Sequence, residues 1–371
     1  MKTIHIILFA FLSFLDGIGQ VTGIDYFGQT PPGDSAIVFA PDIISLPNRY
    51  NQHGSFSPDG NEFCFTVTTS DWAYCNLYYT KIETDEWIDP QKADFVSGSI
   101  WDPSFTPDGN NLIYTYITST ADLWMLEKAG DSWGNPIKLG SPVSSGSPEF
   151  SPSVSLNGTI YFFSRRSFDI YRAIKKDGYY DQVEKLQSPI NDFNDREPYI
   201  APDESYMIFT SYDRPDQFGE GDLYISYNIN NEWTEPLNLG SKINSEYWEF
   251  APRVTPDNNY LLFTKRDESK SMILWVSASF IEGLKPTGIH NISSVDTELT
   301  IFPNPANNMV YIKYTGNMEN VSYAIFTLQG NIILDGDLNS NSIDISQIPD
   351  GLYFFRIELK DEIITKKIIK H

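Results

Sequence analysis

The residues with chemistry to offer stand at one place in a repeat. Counting back five positions from the proline, or its stand-in, of a recurring turn gives His53, Asp102, Ser151, Glu197 and Ala251, with Trp101, Glu149, Arg196, Trp248 and Glu249 beside them. Carboxylates paired across a channel are the acid and base, or acid and nucleophile, of glycoside hydrolysis, and Asp102, Glu149, Glu197 and Glu249 could furnish such a pair. Aromatic rings beside mixed charges are also the composition of a binding surface for peptide or glycan. His53, Trp101, Asp102, Glu149, Arg165, Arg196, Glu197, Trp248 and Glu249 are therefore the candidate ligand-binding residues. Facing loops add Asp71, Trp72, Arg166, Asp213, Arg214, Lys265, Arg266 and Asp267. No two acids stand out from a set that recurs with the repeat, so no catalytic residue is assigned. A binding module is preferred to a carbohydrate-active enzyme.

Other chemistries lack their residues. The chain has no Gly-x-Ser-x-Gly elbow, no Walker loop and no His-Glu-x-x-His. Its histidines, His5, His53, His290 and His371, are scattered, and its two cysteines are too few for a zinc site. No metal and no cofactor are expected. Cys64 and Cys75 fall on adjacent strands of one hairpin and are a disulfide candidate in an oxidising compartment. A net charge of −23, from 49 acids against 26 bases, repels phosphate backbones, so nucleic acid is not expected as a partner.

The elements that must position these residues are announced by the turn itself. It occurs as Ser57-Pro58-Asp59-Gly60, Thr106-Pro107-Asp108-Gly109, Ser155-Leu156-Asn157-Gly158, Ala201-Pro202-Asp203-Glu204 and Thr255-Pro256-Asp257-Asn258. The anchors at 58, 107, 156, 202 and 256 are 49, 49, 46 and 54 residues apart by subtraction. That period belongs to radially repeated four-stranded blades. Proline presets the first corner, Asp accepts from the following backbone, and Gly or Asn takes the left-handed residue, which makes Glu204 the poor fit. After each turn comes a short apolar strand, such as Phe63-Cys64-Phe65-Thr66 or Leu261-Leu262-Phe263-Thr264, and then a second, such as Asp122-Leu123-Trp124. Strands apolar on both faces suit sheets packed on both sides. Trp87-Ile88-Asp89-Pro90, Trp133-Gly134-Asn135-Pro136 and Trp233-Thr234-Glu235-Pro236 open outer strands, with Tyr180 in the Trp role in the third unit.

Turn, strands and Trp-x-x-Pro element in that order resemble the PD40 repeats of TolB-like, WD40-like propellers over roughly residues 36 to 280. The resemblance implies an all-β fold and says little about activity. The fifth unit runs from Trp275 into Gly283-Leu284-Lys285-Pro286 without an outer strand. The segment Ala36 to Ser45 stands where outer strands precede the other turns, so it is expected to pair near residues 272 to 280 and close a five-bladed ring. Six blades remain if the ends hide a further degenerate unit.

The two ends read differently from the repeat. Lys2, the apolar run Ile6 to Leu12 and small residues before Gln20 read as a signal peptide over 1–19, too short to span a membrane. The propeller is assigned to 20–285, a linker to 286–295 and a separate small β-sandwich to 296–371. Pro303-Asn304-Pro305, the turn at Gly330, Gly351-Leu352-Tyr353 and the strand bearing Lys366 and Lys367 resemble, in order, the type A C-terminal sorting domain of the type IX secretion system of Bacteroidetes. That resemblance implies contact with the secretion machinery, passage through the periplasm, and a place in the medium or on the cell surface; because no other apolar stretch approaches about 20 residues, no transmembrane segment is expected in the mature chain.

Overall fold

The computed structural model describes residues 24–286, 299–314, 321–327, 332–338, 341–358 and 363–370. The expected signal peptide, all of the linker but Pro286, and Gly330 lie outside them. The chain is all-β apart from one short helix, Phe280–Leu284. Residues 24–286 fold into five antiparallel sheets, four of them built from consecutive strands and the fifth from three consecutive strands and Ile37–Val38. The innermost strands are Tyr50–Phe56, Ser99–Phe105, Glu149–Val154, Asp195–Ile200 and Trp248–Val254. Each packs on the next and the last returns to the first, so the sheets stand radially in a closed propeller.

The turn does what its residues require. Thr106 Oγ1 donates to Asp108 at 2.5 Å, Asp108 accepts the Asn110 N–H at 3.0 Å, and Gly109 takes φ +71°. Ser57–Asp59, Ser155–Asn157 and Thr255–Asp257 repeat the first contact at 2.5, 2.8 and 2.6 Å. Behind the turns, fully buried Phe63, Tyr114, Phe162, Phe209 and Phe263 fill the space between sheets.

Closure occurs through the N-terminal segment. Ile37 pairs with Trp275 and Val38 with Leu274, and the Phe39 N–H donates to the Ile273 carbonyl at 2.9 Å. The fifth sheet thus takes its outer strand from the far end of the repeat. Where its own outer strand would start, the helix Phe280–Leu284 instead buries Ile281 and Leu284 in the core between the fourth and fifth sheets. In the third sheet the outer strand is a continuous seven residues, Tyr179–Lys185, and Tyr180 donates to the Gly158 carbonyl at 3.0 Å.

The disulfide expectation is corrected by register. Cys64 stands opposite Tyr79 and Cys75 opposite Thr68, four positions apart, which is about 14 Å along a strand. A disulfide needs its Cα atoms within about 7 Å. Both cysteines are free, fully buried thiols, and burial pushes both well above the ordinary thiol range.

The described C-terminal residues form two further antiparallel sheets, Leu299–Phe302 with Met309–Tyr314 and Ser342–Asp344, and Ile332–Asp337 with Ser322–Phe326, Gly351–Glu358 and Ile363–Lys370. They share a core of Val310, Ile312, Ile325, Ile343, Phe355 and Ile368. Asn304 lies against the terminal strand, where it donates to the Lys367 carbonyl and accepts from the Ile369 N–H. Tyr353 is buried and donates to the Pro349 carbonyl, while Pro303 and Pro305 stand exposed.

Candidate functional site

Each innermost strand slips register at the same place, between Gln52 and Ser55, Trp101 and Ser104, Phe150 and Ser153, Arg196 and Tyr199, and Phe250 and Arg253. The slip is a bulge, which inserts an unpaired residue and re-aims its neighbours. The inserted residues are His53, Asp102, Ser151, Glu197 and Ala251, with φ of +52°, +52°, +54°, +54° and +53°. None is glycine, so the left-handed backbone is held at a cost in every sheet. It turns side chains and amide groups into the centre of the ring.

There they form a network. His53 Nε2 meets Asp102 Oδ1 at 2.8 Å, and its Nδ1 lies 3.0 Å from Thr66 Oγ1. The other carboxylate oxygen of Asp102 accepts from Thr115 Oγ1 at 3.1 Å and from the Ser151 N–H at 2.8 Å. Glu197 accepts from Thr210 Oγ1 and from the Ala251 N–H, at 3.1 and 3.2 Å. Burial works to raise the Asp102 carboxyl, but His53, the Ser151 amide and Arg253 outweigh it and hold it below the ordinary range. For Glu197 burial wins: the carboxyl is raised against the pull of His53, and Asp102 adds to the shift.

Arg253 completes this centre and went unread in the sequence. It crosses the ring to the Pro152 carbonyl at 3.0 Å and also donates to the Pro252 carbonyl at 2.8 Å. Burial lowers its guanidinium, opposed by Asp102, Tyr199 and Glu197. The signal was present, because the same repeat position holds Ser55, Ser104, Ser153 and Tyr199 in the other units. One arginine among small or aromatic residues marks a long cation aimed at the axis.

Two candidate acids take other roles. Glu149 is fully buried and accepts from Ser145 Oγ at 2.5 Å, Ser164 Oγ at 3.2 Å and Arg166 at 3.2 Å. Glu249 holds Ser245 in the same way, through Oγ at 2.5 Å and N–H at 2.9 Å. Asp195, at the equivalent position, accepts the Asn191 N–H at 3.0 Å and pairs with Arg214 at 2.6 Å. These acids fasten the loop four residues upstream of each strand. Glu149 and Glu249 are thereby corrected from mouth residues to loop anchors, closed off from a ligand by their burial.

The mouth above the network is aromatic and cationic. Trp101, Phe150, Arg196 and Phe250 occupy one ring position, one residue before the bulge, with Gln52 as the fifth member. Trp101 is 8% exposed, donates to Ser99 Oγ and stacks on Trp72 at 5.5 Å, so it is more wall than contact surface. Arg266 lies over the Trp72 ring at 4.0 Å. Arg165 is exposed and rides on Phe150 at 5.3 Å, while Arg196 lies over Phe163 and Tyr212 at 5.1 and 4.9 Å. Trp248 is partly exposed, and its indole meets no other ring or cation among the described residues. Thus Arg165, Arg196 and Trp248 reach the rim, while His53 and Asp102 are sealed in the centre with the partly buried Glu197. An open groove of about 710 Å³ between the outer strands of the second and third sheets, lined by Lys138, Val143 and Tyr179, contains none of the candidates.

Among the described residues no cluster of His, Cys, Asp or Glu could hold a metal ion, and no helix is long and apolar enough to cross a membrane.

A search of curated proteins finds no match to the chain. Among solved structures, a protein assigned as TolB from Agrobacterium tumefaciens aligns at 14% identity over 84% of this chain and 91% of its own, with a TM-score of 0.43. An arabinanase from Bacillus subtilis aligns at 12% identity over 62% and 94%, with a TM-score of 0.45, and a protein of a xyloglucan locus of Bacteroides ovatus at 11% over 90% and 91%, with a TM-score of 0.40. Likeness at this level says nothing about activity or ligand. Residues 300–371 match the family described as the secretion system C-terminal sorting domain. The chain is therefore an all-β propeller joined to a C-terminal sorting domain, and it travels by way of the periplasm to the cell surface or the medium.

Proposed function

We propose that this protein is an exported, non-catalytic β-propeller that binds a protein or glycan through the face where its innermost strands begin. In this reading residues 20–285 bind and residues 296–371 address the protein to its secretion system. One observation carries the proposal: rings and cations line the rim, whereas the best-placed carboxylate is saturated from inside. Both oxygens of Asp102 are engaged by His53, Thr115 and the Ser151 amide, and the residue is 2% exposed. A general base or nucleophile needs a free lone pair within reach of substrate, and a depressed carboxyl cannot serve as general acid near neutrality.

The second reading, a glycosidase, is favoured by Glu197, which is partly exposed and raised. A raised carboxyl is what a general acid requires. Substitution separates the two readings. In a binding module Trp248→Ala weakens the ligand by roughly 1 to 3 kcal/mol with little effect on folding, and Glu197→Gln lowers affinity modestly. In a glycosidase Glu197→Gln or Asp102→Asn abolishes turnover while binding persists. Affinity and hydrolysis measured on the same variants decide it, and turnover that vanishes in one of them overturns the non-catalytic reading.

A further inference from the structure

The third sheet breaks the pattern of the other four at the mouth. Opposite the ring-position residue, the first, second, fourth and fifth sheets place Thr66, Thr115, Thr210 and Thr264, whose hydroxyls or backbone neighbours serve the central network. The third places Phe163 opposite Phe150. Directly opposed residues hold their Cβ atoms about 5 Å apart, so the two side chains leave the same face of the sheet from neighbouring positions, and each carries an arginine. Arg165 lies over Phe150 at 5.3 Å and Arg196 over Phe163 at 5.1 Å. Among the described residues neither guanidinium meets a carboxylate, although the chain holds 49 acids, and the one side-chain hydrogen bond of the two is from Arg196 Nε to Asn194, at 2.8 Å. Arg166, next in sequence, is by contrast tied to Glu149 and two carbonyls.

Two guanidinium groups, each held over a ring at neighbouring positions of the rim, are partly ordered before any ligand arrives, and their nitrogen forks suit a carboxylate. Trp248, on the fifth sheet, is bridged to Gly221 at the end of the loop that begins with Tyr212, the second ring under Arg196. An open indole beside a carboxylate clamp suits a sugar ring and its uronate group. An acidic peptide would lack the stacking face and would meet repulsion from Asp213, Glu246 and Asp267 on the neighbouring loops. A densely charged polyanion would meet the same repulsion, and more of it, from a chain of net charge −23.

Resting on the binding reading above, we propose that the mouth recognises a sparsely charged, uronate-bearing glycan, with Arg165 and Arg196 clamping the carboxylate and Trp248 stacking on a sugar face. The test uses the full chain on a printed panel of oligosaccharides bearing glucuronate, galacturonate or mannuronate, each beside its carboxyl-reduced form, with hexaglutamate as the peptide probe. Expected is binding of a uronate-bearing member that weakens about tenfold on carboxyl reduction. Arg165→Gln and Arg196→Gln should each erase that preference with the melting temperature unchanged, and Trp248→Ala should weaken both forms. Equal binding of acidic and reduced forms, still lost in Trp248→Ala, overturns the uronate clamp and leaves the mouth reading standing. Hexaglutamate bound as tightly as any glycan, and lost in the arginine variants, overturns the glycan class. No binding on the panel overturns the uronate proposal. Trp248→Ala leaving the affinity of a bound protein or glycan unchanged overturns the mouth reading itself.

Discussion

Glu249 shows what burial does to a single residue here. Burial drives its carboxyl from 4.5 up to about 7, against the lowering effects of the Ser245 hydrogen bonds and Lys265. A carboxyl raised in the folded state binds its proton more tightly there than in the unfolded chain. Its contribution is therefore most favourable below pH 4.5 and is lost as pH rises toward 7, by about 3 kcal/mol in all. Asp102 runs the opposite way: its carboxyl is held below 3.8, so what it contributes is present at neutral pH and is lost as pH falls below about 4. Glu249→Gln should flatten the dependence of melting temperature on pH between 4.5 and 7, leaving in place the acid limb to which Asp102 contributes beside other lowered carboxyls such as Asp108 and Asp122. Parallel melting curves for variant and parent across that window would contradict the burial of an ionising Glu249.

The turn is the element on which the rest of the fold hangs. Its left-handed residue is Gly60, Gly109 or Gly158 in three units, Asn258 in the fifth and Glu204 in the fourth, where φ is +60°. Left-handed backbone costs a residue with a Cβ about 1–2 kcal/mol, and glycine returns part of that through its greater freedom when unfolded. Glu204→Gly should therefore stabilise the protein by about 0.5 kcal/mol, the relieved strain exceeding what is lost with an exposed contact from Asn157 at 3.1 Å and the interaction with Tyr161. Gly109→Ala, where nothing lies closer than 3.7 Å to the added atom, should cost about 1 kcal/mol from backbone strain alone. Urea melts of both variants check the pair, and a destabilised Glu204→Gly would refute the strain argument. This element was legible because proline, Asp and Gly act locally, and a local rule repeated five times declares a ring. The bulge was half legible: counting back from the turn found His53, Asp102 and Glu197, but no local residue signals which way a left-handed backbone aims them. Glu149 and Glu249 were misread for the same reason. Their serines at 145 and 245 lie four residues upstream, and nothing in sequence distinguishes an acid that fastens a loop from one that faces solvent.

At the scale of the whole molecule, stability depends on where the two ends of the propeller meet. Phe39 is fully buried, with its ring 5.4 Å from Phe63 of the first sheet and 5.2 Å from Trp275 of the fifth. Around it Tyr26 donates to Asp257 at 2.7 Å, and Gln29 bonds to Val38 and Ala40 at 2.8 and 2.7 Å, so the segment before the strand is fastened as well. Each sheet buries its two faces against its neighbours, and opening the seam leaves Trp275 and Phe63 facing water and the fifth sheet with an unpaired edge. Phe39→Ala should cost about 3–5 kcal/mol, the range for an aromatic side chain removed from a core. Because the seam joins the first and last sheets, the loss should lower one cooperative transition seen alike by tryptophan fluorescence and far-ultraviolet dichroism. Deleting residues 20–46 should go further and destabilise the whole ring, since backbone pairing and the aromatic cluster go together. A deletion variant that melts like its parent would show that the ring stands without its N-terminal strand, and would sink the closure argument.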